Sequence, residues 1–213
     1  MKLFLLFIVF FLIGLAIVLS NHYWNSQILP SGFSIPSVTT KFSLKNAPSE
    51  SLRGTIASMS GDVNWLSRTD AKSTQLKTKQ TVQQGEEVST GNNGKAVINI
   101  KNTAVLAIQP NSHISIIQLL PQNFVFVQDK GTVDYGNAVK YPTTVRSFDL
   151  VSLIIHGSVR ISVDSTNQTV TVHVEEGAVK EGYEDLQNNS NVVSVNPGQT
   201  FIFDETNKVG SIQ

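Results

Sequence analysis

The stretch Val159-Arg-Ile-Ser-Val163, Asp164-Ser-Thr-Asn-Gln168, Thr169-Val-Thr-Val-His-Val174 decides the fold. Side chains in a strand alternate between faces, so Val159, Ile161 and Val163 share one face and Val170, Val172 and Val174 share the matching face of the next strand. The polar run between them is a loop, and the whole reads as a β-hairpin. Arg160, Ser162, Thr171 and His173 then occupy the opposite face, which an antiparallel sheet can leave in water.

The same alternation, with β-branched residues dominant, continues outward on both sides. It predicts strands at 54–59, 62–66, 95–100, 104–108, 112–118, 123–127, 131–135, 150–155, 192–195 and 200–203. Turn residues separate them at short intervals: Gly61-Asp62, Gly91 to Gly94, Pro110-Asn111, Gly157, Gly177, Asn188 to Asn191 and Pro197-Gly198. Gly54-Thr-Ile, Gly131-Thr-Val, Gly157-Ser-Val and Gly177-Ala-Val form an uneven internal repeat, in which glycine bends the chain and the β-branched residue opens the next buried row. The expected fold is all-β, a sandwich or β-helical roll of short, mostly antiparallel strands. A short helix around Leu76 to Val82 competes with a polar loop.

At the N-terminus, Met1 and Lys2 precede an unbroken apolar run from Leu3 to Leu19. As a helix it spans roughly 26 Å, near the lower limit for crossing a bilayer. Residues 1–20 are therefore read as a signal-anchor or transmembrane helix, and residues 3–19 as the contact with the membrane. Cleavage near Ser20 is the other reading, since Val18 and Ser20 have the small side chains such a site needs. Tyr23 and Trp24 suit a membrane interface. Lys2 is the only charge before the run, which favours an inside N-terminus and a body outside the cytoplasm. Residues 21–52, rich in Ser and Pro, read as a linker, 53–205 as the β domain and 206–213 as a C-terminal tail.

The 16 basic and 16 acidic residues cancel, so no basic field exists for nucleic acid. The absence of cysteine removes disulfides, thiol catalysis, thiolate metal sites and a lipoprotein anchor together. Four histidines remain, and the nearest approach to a metal cluster is His173 with Glu175 and Glu176, which reads better as a solvated strand end. Glu86-Glu87, Glu175-Glu176 and Glu184-Asp185 point to opposite faces within each pair, so no pair flanks a bond, and each reads as a solvated turn. No Gly-x-Ser-x-Gly elbow occurs. Trp65, Tyr135, Tyr141 and Phe148, with the pairs Phe124/Phe126 and Phe201/Phe203, read as core aromatics before they read as a ligand platform. No catalytic, metal or cofactor-binding residue is assigned, no cofactor is expected, and the chain is read as not an enzyme.

The order Gly85-Glu-Glu-Val-Ser-Thr-Gly91, Gly94-Lys-Ala-Val-Ile-Asn-Ile100, Ala104 to Ile108 and Pro110-Asn-Ser112 resembles the front half of a FecR domain. Gly131-Thr-Val, Val151 to Gly157-Ser158, Val172 to Glu176-Gly-Ala-Val179 and Pro197-Gly-Gln199 resemble its back half, so the likeness covers 53–205. Asn102-Thr103 stands where the family usually has an Asp-Gly turn. The resemblance implies an extracytoplasmic domain of the kind found in envelope regulators of sigma factors. Those regulators carry a cytoplasmic segment ahead of the membrane helix, and here only Met1 and Lys2 precede it. The expected function is therefore a non-enzymatic binding or scaffolding module in the cell envelope, with an envelope protein or glycan as partner. The alternative is a transmembrane signalling component that works with a separate cytoplasmic protein.

Overall fold

The structure, a computed structural model, describes residues 50–101, 103–137 and 142–213. The anchor at 1–20 and most of the 21–52 linker lie outside the described residues, as does Tyr141. Fifteen strands follow in chain order: β1 (Gly54–Ser60), β2 (Val63–Leu66), β3 (Thr74–Gln75), β4 (Thr81–Val82), β5 (Glu86–Thr90), β6 (Lys95–Ile100), β7 (Ala104–Ile108), β8 (His113–Leu120), β9 (Asn123–Asn137), β10 (Thr143–Ser147), β11 (Leu150–Asp164), β12 (Thr169–Glu184), β13 (Ser190–Val195), β14 (Thr200–Asp204) and β15 (Val209–Ile212). Among the described residues there is no helix, and the stretch Leu76 to Val82 leads instead into β4.

All fifteen strands belong to one open, mixed sheet. Every pairing is antiparallel except β10 on β9. A β-helical roll would stack its strands in parallel, so that half of the expectation fails on the pairing pattern. The central hairpin forms as read, with Val159 opposite Val174, Ile161 opposite Val172 and Val163 opposite Val170.

Three strands are longer than the sequence pattern indicated. Residues 123–127 and 131–135 are halves of β9, and 150–155 and 159–163 are halves of β11. The halves looked separate because the buried parity slips between them. The last buried residue before the slip and the first after it are Gln128 and Val133, Ile154 and Val159, and, in β12, Val174 and Val179. Each step is odd, whereas an uninterrupted strand would keep an even one. The slip occurs at Gly131, Gly157 and Gly177, whose φ values of 83°, 111° and 99° are left-handed. Gly157 and Gly177 face each other across β11 and β12. A Cβ on Gly157 would stand 2.0 Å from the Glu176 carbonyl oxygen, and one on Gly177 would stand 1.9 Å from that of His156. Only glycine fits this crossing. Gly54, the fourth member of the repeat, has no positive φ and simply packs between Ile98 and Val82.

At these corners β9, β11 and β12 pass from one wing of the sheet to the other, a recognised way for strands to turn between packed layers. The first wing runs β3-β2-β5-β8-β9-β10-β11-β12-β13 and the second runs β4-β1-β6-β7-β9-β11-β12-β14-β15. A single cluster of buried apolar side chains from both wings fills the interior. Tyr183 of the first wing meets Phe203 of the second with ring centroids 5.1 Å apart, and Phe126 meets Tyr135 at 6.0 Å. Phe124, Phe126, Phe201 and Phe203 are fully buried, as core aromatics should be.

The domain also reaches past both expected edges. Leu52 packs on the core and donates its N–H to the Leu119 carbonyl at 2.7 Å. The stretch 206–213, read as a tail, contains β15, which pairs with β14 from Phe201↔Ile212 to Asp204↔Val209.

Candidate interaction surface

The hairpin carries a set of polar rows on the outer face of the second wing. With Val159, Ile161, Val163, Val170, Val172 and Val174 all inward, Arg160, Ser162, Thr171 and His173 are forced outward together. Neighbouring strands add to the same rows. Asp134 of β9 lies opposite Arg160, Arg160 opposite His173, and His173 opposite Thr200 of β14. One row away, Thr132 lies opposite Ser162 and Ser162 opposite Thr171.

Side chains along these rows are tied to one another. Arg160 Nε donates to Asp134 Oδ1 at 2.6 Å, and Gln109 Nε2 donates to Asp134 Oδ2 at 2.9 Å. Arg160 Nη2 lies 4.0 Å from Glu175 Oε1, while Ser158 Oγ donates to Glu175 Oε2 at 3.0 Å. The Asp134 hydrogen bond and charge hold the Arg160 guanidinium above its ordinary value, with Glu175 adding to them. His173 Nδ1 meets Thr200 Oγ1 at 3.0 Å, and Thr132 Oγ1 meets Ser162 Oγ at 2.9 Å. Beyond the hydroxyl row lies an open hollow of about 660 Å³ bordered by Asn111, Lys130, Thr132, Ser162, Asp164 and Thr171. The arrangement offers fixed hydrogen-bonding groups and little uncompensated charge.

Thr200 and His173 make a hydroxyl–imidazole contact, but among the described residues no carboxylate orients the ring, so the third member of a nucleophile–base–orienter set is missing. On the first wing His113 lies between two carboxylates. Its Nδ1 lies 2.7 Å from Asp129 Oδ2 and its Nε2 3.1 Å from Glu87 Oε2, so both nitrogens are already occupied. Glu175 turns to Ser158 rather than toward His173, and Glu176 is exposed. No group of three or more His, Asp or Glu side chains among the described residues could hold a metal ion.

Glu86 departs from its reading as a solvated turn. It is 3% exposed and accepts from Trp65 Nε1 at 2.8 Å and from the Gln83 N–H at 3.1 Å, while its neighbour Glu87 faces outward to His113. Glu184 is exposed, and Asp185 accepts the N–H groups of Gln187 and Asn189, closing the β12–β13 turn.

Among the buried polar groups that escaped the sequence reading are Gln128 and Glu181. Gln128 donates to the carbonyls of Gly131 and Ile161 and accepts from Tyr135 Oη, bracing the β9 corner. Burial pushes the Tyr135 phenol above its ordinary value. Glu181 is fully buried and accepts from Ser152 Oγ at 2.7 Å, while its Oε1 has no partner. Desolvation pushes the Glu181 carboxyl up to about 8. The only signal for it in the sequence was an inward parity position just past a glycine.

No family model matches the chain, and no curated protein does. Among solved structures it is similar to two described as a "putative anti-sigma factor" from Parabacteroides distasonis, with a TM-score of 0.52 in both cases and identities of 14% and 13%. Each match covers 60% of this chain and 58% of the other, so the chain spans little more than half the length of the protein it resembles. At that identity the likeness is one of fold.

Proposed function

We propose that this chain is a membrane-anchored, single-pass component of an envelope signalling system of the FecR type. Its β domain stands outside the cytoplasm, acts without catalysis of its own, and transmits to a separate cytoplasmic partner through the helix at 3–19. The observation that carries this reading is the fold likeness to the Parabacteroides proteins described as anti-sigma factors. The ordered motifs from Gly85 to Gln199 agree with it.

The polar face around Arg160 and His173 is the surface this reading assigns to reception, because its hydrogen-bonding groups are held in place by one another and are open to solvent. The same face also favours the simpler reading of a binding or scaffolding module that needs the membrane only as a tether. One experiment separates them. Residues 3–19 are replaced by an unrelated spanning helix, and the host transcriptome is compared with that of the intact and deleted strains. Signalling requires the swapped chain to behave like the deletion. Full complementation by the swapped chain rejects signalling and leaves the tethered module.

A further inference from the structure

The first wing ends at β13, whose only sheet partner among the described residues is β12. The two pair from Val179↔Val195 to Glu184↔Ser190. Of the six residues of β13 only Val195 is buried, while Val193 packs half-buried on the core and Val192 is 72% exposed. A strand with so little apolar area under cover opens at lower cost than one such as β14, where Phe201 and Phe203 are both buried. The segment is fastened at each end. The Asp185 N–H donates to the Asn189 carbonyl at 3.0 Å, and beyond Asn196 the Gly198 N–H donates to the Val174 carbonyl at 2.7 Å. Between these fastenings β13 forms a strap.

Glu181 stands in register between Ser152 of β11 and Val193 of the strap. Ser152 Oγ donates its one hydrogen bond, and Oε1 has no partner. Along β12 its inward neighbours are Val179 and Tyr183. From the other wing β14 and β15 reach Tyr183 through Phe201, Phe203 and Gly210, and turn no charged side chain inward. Lys180 and Glu184, the charges closest to Glu181 along β12, are exposed. The other buried titratable side chains among the described residues, Glu86 of β5 and Tyr135 of β9, belong to strands that do not pair with β12. Nothing charged therefore offsets the burial of this carboxyl.

With β13 in place Glu181 lies one strand in from the edge, and once β13 lifts it lies at the edge, within reach of water. The closed form holds the proton up to about pH 8, whereas the open form releases it near the ordinary value of 4.5. Because the closed form binds more protons in that interval, the opening equilibrium is constant below it, rises about tenfold per pH unit within it, and levels off above it.

We propose that Glu181 is a proton-operated latch on β13: the protonated carboxyl lets the strap lie closed, and loss of the proton releases Ser190–Val195 and bares the edge of β12 while the rest of the sheet stays folded. The latch belongs to the first wing, whereas Arg160 and His173 lie on the second, and it does not depend on the signalling reading.

Hydrogen exchange of the full chain in detergent micelles, followed by mass spectrometry from pH 5 to pH 8 and corrected for the intrinsic rate at each pH, reads the opening. Peptides covering Ser190–Val195 should open about tenfold more for each pH unit, and at pH 8 at least about tenfold more than peptides covering β6 and β7. Glu181→Gln removes the rise, and its far-ultraviolet circular dichroism at pH 5 shows that it folds. Lys180→Cys with Ser194→Cys sets a disulfide across an exposed, opposed pair of β12 and β13 in a chain without other cysteines. Oxidation of that pair abolishes the rise and reduction restores it. Opening of β13 that ignores pH, or a rise that persists in Glu181→Gln or in the oxidised disulfide, overturns the proposal. So does opening of β6 and β7 as ready as that of β13, because Glu181 would then act only through unfolding of the whole domain.

Discussion

At the scale of the residue, Glu181 is the most consequential side chain in the interior. A carboxyl with one hydrogen-bond donor and one orphan oxygen cannot stay ionised without water, so the folded state holds its proton up to about pH 8, against an ordinary value of 4.5. The folded chain therefore binds more protons than the unfolded chain between those values. Stability is fully present below the unfolded value and is lost as pH rises toward 8. At about 1.4 kcal/mol per pH unit the loss approaches 5 kcal/mol. Urea unfolding from pH 5 to pH 9 should show this decline in the native sequence and a nearly flat profile in Glu181→Gln, which keeps the shape but has no charge to bury. An equal decline in both would place the titrating group elsewhere. Glu86, also buried, accepts from Trp65 and Gln83, donors of a kind that Glu181 lacks on its second oxygen.

At the scale of the element, the fold depends on three long strands that bend without breaking. Each glycine corner shifts the buried parity by one residue, so that the apolar face stays inward on both sides of the bend. Gly157→Ala and Gly177→Ala each force a methyl into a backbone carbonyl at a left-handed φ. Each should cost more than about 2 kcal/mol. Gly136→Ala lies in the same sheet with no such conflict, its Cβ meeting only the Val105 carbonyl at 3.9 Å, and it should be neutral or stabilising by less than about 1 kcal/mol. Chemical denaturation of the three variants checks the contrast, and equal costs would mean the corners are not under steric constraint.

These corners also explain what was legible. Alternation located most of the strands and their inward faces correctly, from Ile56 to Phe203. It split β9 and β11 because a period of two cannot continue through an odd step, and a glycine at the break looks the same as a turn. The short pieces β3, β4 and β15 were missed because they carry too few alternations to stand out, and the five-residue strands β5 and β10 were missed although each pairs on both sides, β5 with β2 and β8 and β10 with β9 and β11. The polar face was readable in Arg160, Ser162, Thr171 and His173. Its partners Gln109, Asp134 and Thr200 were not, since they come from strands distant in sequence.

At the scale of the whole molecule, three strands shared by both wings make separate unfolding of either wing costly. Loss of the first wing would strip half of β9, β11 and β12 and expose Tyr183, Phe201 and Phe203 together. In a Trp24→Phe background, Trp65 fluorescence reports the β2–β5 region and far-ultraviolet circular dichroism reports the sheet. The two should give one coincident thermal transition. Separate midpoints would show that the wings are independent units.

The sequence by itself determined the strand class, the inward faces and the central hairpin, because these depend on side-chain alternation and local turn chemistry. It also supplied the uncharged balance, the cysteine-free composition and the apolar run at 3–19 from which the compartment is proposed. Only the tertiary structure decided that three glycines are corners rather than turns, that Glu181 is stranded without a second donor, and that Asp134, Arg160, His173 and Thr200 come together in one row. Those properties arise from register between strands far apart in the chain, and register is fixed by the packing of the whole sheet.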